Sequence, residues 1–196
     1  MPQAMNETSQ VYGEIVMADL MQPAAMQSMQ QQMMLPKDTT LQSLFTSEQY
    51  EEIGKAVKEN MMVDIAMLAR LKPAAISQQL TVLIFMKHTP GFNSQTSLDA
   101  YFQQQAGQQG KKVGGLETAQ SQIDILFNNQ PLRRQATLLY CMASDIEKSV
   151  DQSKRLILAY EKQDLDAMLQ LMEERDGNSC DPLPGEMEAL LDNRNK

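Results

Sequence analysis

The sequence predicts an α+β fold that is predominantly α-helical, with many helices around a small sheet of about two short strands. Two observations lead to this. Apolar residues recur at three- and four-residue spacing through most of the chain, as in helices with one buried face. Only two runs, 11–16 and 113–116, have the length and apolar character of short strands.

Taken in order, residues 2–9 read as the end of a helix or the lead-in to one. The β-branched run 11–16 is the first strand, and the Gln-rich stretch 24–34 is helical. Leu41, Leu44 and Phe45 form an apolar cluster before Ser47, which reads as the N-cap of a helix running to about Asn60. A shorter helix follows over 63–71. Pro73 suits the first turn of the next, through Ile76, Leu80, Leu83 and Ile84 toward Met86. Its last part is apolar all round and could also form a buried strand, but continuity with Pro73 favours helix. A loop over 89–93 precedes an amphipathic helix containing Leu98, Tyr101, Phe102 and Ala106, stopped at Gly110. The heptad-like series from Leu132 through Leu139, Ile146, Ser153 and Tyr160 predicts one helix of roughly 30 residues opened by Pro131, long for a globular protein. It reads as the spine of a bundle, with dimerisation through the seam as the lesser alternative. Residues 165–172 add a helix, 176–185 a loop, and 186–191 the start of a last helix. No internal repeat or linker separates parts of the chain, so 1–196 reads as a single domain.

Composition narrows the function classes. The 196 residues are 42% hydrophobic, enough for a real core, and 17 basic against 25 acidic residues leave a net charge of -8. With no basic stretch longer than Lys111–Lys112, nucleic-acid binding is disfavoured. The longest apolar run, 82–86, falls far short of the ~20 residues a membrane span needs. The first residues lack the basic-then-apolar order of a signal peptide.

Cys141 lies in a helical apolar run and reads as a buried thiol. Cys180, in a Gly/Pro loop, is placed to react or pair, and a bond between the two stays open. The one histidine, His88, reads as a cation at a helix C-terminus, and a His-rich metal site or a catalytic triad would need partners the chain lacks. Among sixteen methionines, Met21, Met26, Met29, Met33 and Met34 recur at near-helical spacing. Adaptable core filling is the first reading of that face, partner binding the second, and a thioether site for Cu(I) the last.

The block 110–122 is the most informative stretch. It reads as helix stop, strand, carboxylate and helix start: Gly110, then 113–116, then Glu117, then Thr118 capping a helix with Ile123, Leu126 and Phe127. Ligands of open α/β sheets bind beyond the carboxyl ends of strands, which is where Glu117 falls. The plain alternative is a first-turn acid favoured by the helix dipole.

With these stretches in view, the chain resembles the TraB/GumN family, related to the Tiki-type metalloproteases. The matching residues are Val11-Tyr12-Gly13-Glu14, Leu71-Lys72-Pro73, Leu98-Asp99-Ala100-Tyr101, Gly110-Lys111-Lys112-Val113 through Gly115-Leu116-Glu117-Thr118, Gln122, Gln135 and Arg194-Asn195. The resemblance implies a sheet whose first and last strands each carry a metal-binding Gly-x-x-His, and neither motif occurs in these residues. On that reading the chain is the middle of the family domain, trimmed at both ends, or a variant that has lost the site. The family implies a metal-dependent, peptidase-like hydrolase when intact. In it Glu14 and Glu117 would be catalytic or metal-binding acids, the latter only together with histidines outside this chain. Lys72, Asp99 and Arg194 are read as architectural ion-pairing residues. This chain alone is then expected to hold no tight divalent metal and to be inactive. The alternative is a helical module that binds a peptide or protein, in keeping with the family's link to pheromone shutdown in conjugation. Strands without neighbours would leave edges for homodimerisation or strand exchange. Export to the periplasm or cell surface is expected if the complete gene carries a signal peptide.

Overall fold

The computed structural model describes residues 2–89, 91 and 97–186. In chain order the regular elements are α1 (Pro2–Glu7), β1 (Gln10–Gly13), α2 (Met17–Leu20), α3 (Pro23–Gln32), α4 (Ser47–Met61), α5 (Pro73–His88), α6 (Leu98–Gln108), β2 (Lys112–Gly115), α7 (Ala119–Asn128), α8 (Leu132–Ser144), α9 (Ile146–Glu161) and α10 (Leu165–Glu173). The fold is α+β and predominantly helical, with one small parallel sheet among the described residues. The chain forms two compact units: Met1–Met34 with Gly91–Asn129, and Leu35–Pro90 with Gln130–Lys196.

The first unit carries the sheet. β1 and β2 run parallel with Gln10 opposite Lys112, Val11 opposite Val113, Tyr12 opposite Gly114 and Gly13 opposite Gly115. Helix α6 packs on both strands, and α3 packs on α7. Met5, Ile15, Ala106, Ile123 and Phe127 are its buried apolar side chains. The stop after α6 is a Schellman turn. Gly110 sits at φ +66, its N–H donates to Gly107 O at 3.1 Å, and Lys111 N–H donates to Ala106 O at 2.9 Å. An L side chain rarely adopts that φ, which is why glycine stands there.

The second unit is helical. Its core joins Ile53, Ala56 and Val57 of α4, Ile76, Leu80 and Ile84 of α5, and Leu139 and Ala143 of α8. Within each helix these positions are three or four residues apart, so each presents one apolar face inward. Arg70 closes the segment before α4 by donating to the carbonyls of Leu35, Pro36, Lys37 and Thr39.

Several expectations change. Both strands start one residue earlier than 11–16 and 113–116, and the first is also shorter, four residues in place of six. Thr46, not Ser47, caps α4. Its hydroxyl accepts from Gln49 N–H while Gln49 Oε1 accepts from Thr46 N–H, a reciprocal pair that the Thr-x-x-Gln spacing allows. The helix expected over 63–71 is one 3-10 turn, Ile65–Leu68. Met62 takes the left-handed conformation and ends α4, and Lys72 is held extended before Pro73, leaving room for little more. The long helix expected from Pro131 is two, broken at Asp145. That residue has φ -142 and ψ 70, and its carboxylate accepts from Lys148 N–H to cap α9. Helix α3 has no fully buried residue: Met26 is 47% exposed and Met29 half-buried, so neither methionine is a fully enclosed core residue. Cys141 is not a free thiol: it is bonded to Cys180, their Cα atoms 5.8 Å apart. The last helix expected over 186–191 lies outside the described residues except for Glu186. Among the described residues no helix is long and apolar enough to cross a membrane.

Candidate active site

The two predicted acids come together. Past the paired strands the ladder continues: Leu116 N–H donates to Gly13 O at 3.0 Å, and Glu117 N–H donates to Glu14 O at 2.8 Å. Glu14 and Glu117 are thus neighbours just beyond the carboxyl ends of two parallel strands, Glu14 exposed and Glu117 half-buried. The chain can turn here because residue 115 is glycine. A Cβ at that position would stand 2.9 Å from both Val16 N and Glu117 O, closer than real contacts allow.

Each acid sits on a structured turn. After Glu117, Thr118 opens α7 with a reciprocal cap: its hydroxyl accepts from Ser121 N–H at 3.1 Å, and Ser121 Oγ accepts from Thr118 N–H at 3.2 Å. One turn on, Gln122 Nε2 donates to Glu117 Oε2 at 2.7 Å and orients the carboxylate. After Glu14 the chain bends into α2 around the buried side chain of Gln103. That amide donates to Ile15 O at 2.7 Å and accepts from Met17 N–H at 2.8 Å. Lys111 Nζ donates to Met5 O and ties the start of β2 to α1.

The other predicted residues lie elsewhere. Asp99 is exposed in the first turn of α6. Lys72 is the N-cap residue of α5, and His88 closes the same helix as predicted; both belong to the helical unit. Gln135 is buried and structural there, its amide accepting from Ala74 N–H at 3.3 Å and donating to Gln130 O at 2.8 Å. Arg194 and Asn195 lie outside the described residues.

Three residues escaped the sequence reading. Gln103 stands in a run of three glutamines, where nothing distinguishes the buried one. Arg134 stands beside Arg133 and looks like part of a solvated basic pair, yet it is 9% exposed. It grips Glu186 with two bonds, Nε to Oε1 at 2.8 Å and Nη2 to Oε2 at 3.0 Å, and donates to Ser179 O and Asp181 O. The hydrogen bond from Arg134 is the main reason Glu186 titrates below its ordinary range. Arg70 carries no sequence pattern for its ring of four carbonyls.

The helical unit holds a cavity of about 680 Å³ between α5, α8, α9, α10 and residues 174–182. Its lining includes Phe85, His88, Met142, Leu156 and the two cysteines. It belongs to a different unit from the paired acids.

Among the described residues no three His, Cys, Asp or Glu side chains come together to hold a metal ion.

The family model described as the TraB/PrgY/gumN family matches residues 1–196, the whole chain. No match was found among curated proteins or among solved structures.

Proposed function

From the fact that the chain belongs to the TraB/PrgY/gumN family, we propose that it is the acid-bearing part of a metal-dependent, peptidase-like hydrolase and is not a competent enzyme alone. The observation that carries this reading is the bond from Glu117 N–H to Glu14 O, which draws two acids to the ends of paired parallel strands. Carboxylates so placed can accept a proton or hold a cation. Gln122 restrains one oxygen of Glu117, and Gln103 restrains the turn that follows Glu14. On this reading the acids are this chain's contribution to a metal site, since no Gly-x-x-His occurs in the sequence. The Cys141–Cys180 disulfide supports an oxidising compartment, in keeping with an exported protein.

The test is peptide-bond cleavage by the product of the complete gene. Cleavage is expected to stop with chelator and to fall about 100-fold or more in Glu117→Gln with the fold intact. Chelator-resistant cleavage, or wild-type rates in that variant, would refute the reading.

A second reading, a non-enzymatic module that binds a peptide or protein, draws on Met21, Met26 and Met34, which are 72%, 47% and 41% exposed. Exposed, flexible methionines suit a binding surface. It predicts no hydrolysis by the complete gene product, so the same assay separates the two.

A further inference from the structure

The cavity of the helical unit is lined by two sets of side chains. The apolar set includes Phe85 of α5, Met142 of α8, Leu156 of α9, and Leu171 and Met172 of α10. Leu156 and Met172 are 37% and 47% exposed, so the folded chain leaves apolar surface uncovered at the cavity. The polar set comes from α9 and residues 174–181. At about 680 Å³ the cavity is the size of sites that take small organic molecules, ~300–1,000 Å³.

The acids of the polar set are already engaged. Asp145 accepts from Lys148 N–H, Glu174 accepts from Arg155 through both oxygens, and Asp176 accepts from Lys148 Nζ. Asp181 accepts from the backbone N–H groups of Asp176, Gly177 and Asn178 at 2.8, 2.7 and 3.2 Å. The donors are not used up. Lys148 Nζ carries three protons and directs one at Asp176. Arg175 donates through Nη1, to Met172 O and Glu174 O, and its Nε and Nη2 have no partner among the described residues. Gln152 makes no side-chain hydrogen bond among them either.

Engaged acceptors, unused donors and uncovered apolar surface suit a ligand that brings its own acceptors on an apolar body. Helix α9 sets the order of the two parts. Lys148, Gln152 and Leu156 are four residues apart and share a face, with Leu156 about 12 Å along the axis from Lys148. We propose that this cavity binds a free fatty acid. Its carboxylate accepts from Lys148, Gln152 and Arg175, and its chain lies against Leu156, Met172 and Phe85. Charge-assisted bonds fix the head, and removal of the chain from water supplies the rest of the affinity. The site lies in a different unit from Glu14 and Glu117 and does not depend on their role.

The test titrates the whole chain, by calorimetry, with three molecules that share one tail: decanoate, decanol and decyltrimethylammonium. Decanoate is expected to bind one to one and about tenfold or more tighter than decanol, the worth of a hydrogen bond to a charged group. In Lys148→Gln/Arg175→Gln the affinity for decanoate is expected to fall about tenfold, to that of decanol, whose own affinity stays unchanged. Leu156→Asp, at a partly exposed position, is expected to abolish binding of both while circular dichroism stays as in the wild type. If that variant loses helicity, the three-ligand comparison in the wild type decides alone. No binding of decanoate, or equal affinity for decanoate and decanol, would overturn the proposal, since the donors would then recognise nothing. Tighter binding of decyltrimethylammonium would overturn it too, because the acids would then set the preference. So would binding that never saturates or that a folded Leu156→Asp chain retains, which would place the molecule elsewhere on the surface.

Discussion

Replacing Arg134 with methionine removes the charge while keeping much of the side-chain length, and it strips several groups of their partner at once. Arg134 is 9% exposed and Glu186 17%, so the pair is mostly out of water. Breaking such a pair by deleting one partner costs about 3–5 kcal/mol where burial is complete, because the other charge is left uncompensated. The residual exposure of Glu186 lets water screen part of that, which brings the expected loss to about 2–4 kcal/mol. Removing the stranded charge as well, in Arg134→Met/Glu186→Gln, is expected to recover part of it.

The pH dependence carries a second, independent signature. Glu186 titrates below its ordinary range in the folded chain because Arg134 hydrogen-bonds its charged form, with Leu183 N–H adding to the effect. A carboxyl group with a depressed folded-state pKa contributes stability above its unfolded value, about 4.3, and loses it as pH falls through the folded value. The gap between wild type and Arg134→Met should therefore be widest near neutrality and narrow below about pH 4.3. Urea titrations followed by circular dichroism at pH 7 and at pH 3 measure both quantities. A gap under about 0.5 kcal/mol at pH 7, the size of an ordinary surface substitution, would refute the reasoning. So would a gap that does not change with pH.

Two further outcomes follow from the sheet. Gly115→Ala puts a methyl group against backbone atoms of Val16 and Glu117 that cannot rotate away, so a loss of about 1–3 kcal/mol is expected; faster exchange of the Glu117 amide would report the broken link to Glu14. A two-stranded sheet is marginal by itself and its edges can add strands, so dimerisation or strand exchange is expected at high concentration; light scattering that finds a monodisperse monomer throughout would count against it.

Much of the local structure was legible because local chemistry decides it. The glycine at 110, the cap at Thr118, the proline at 73 and the three- and four-residue spacing in α4, α5 and α8 act over a few bonds, and the elements formed where those signals stand. Asp145 carried such a signal too, but the heptad series running through it suggested one helix. A side chain that caps the next turn outweighed a periodic pattern that two helices in succession satisfy equally well. That Glu117 follows a strand could be read from its neighbours. That Glu14 lies beside it depends on two segments about a hundred residues apart pairing in one register, and no local signal records that pairing. The same holds for Gln103, Arg134 and the Cys141–Cys180 bond, whose partners are carbonyls, amides and a sulfur brought in from distant parts of the chain. Composition and spacing specify which helices form and which face of each turns inward. Only the folded chain decides which buried polar group meets which, because a hydrogen bond needs its partner within about 3 Å and residue type alone does not say which partner arrives.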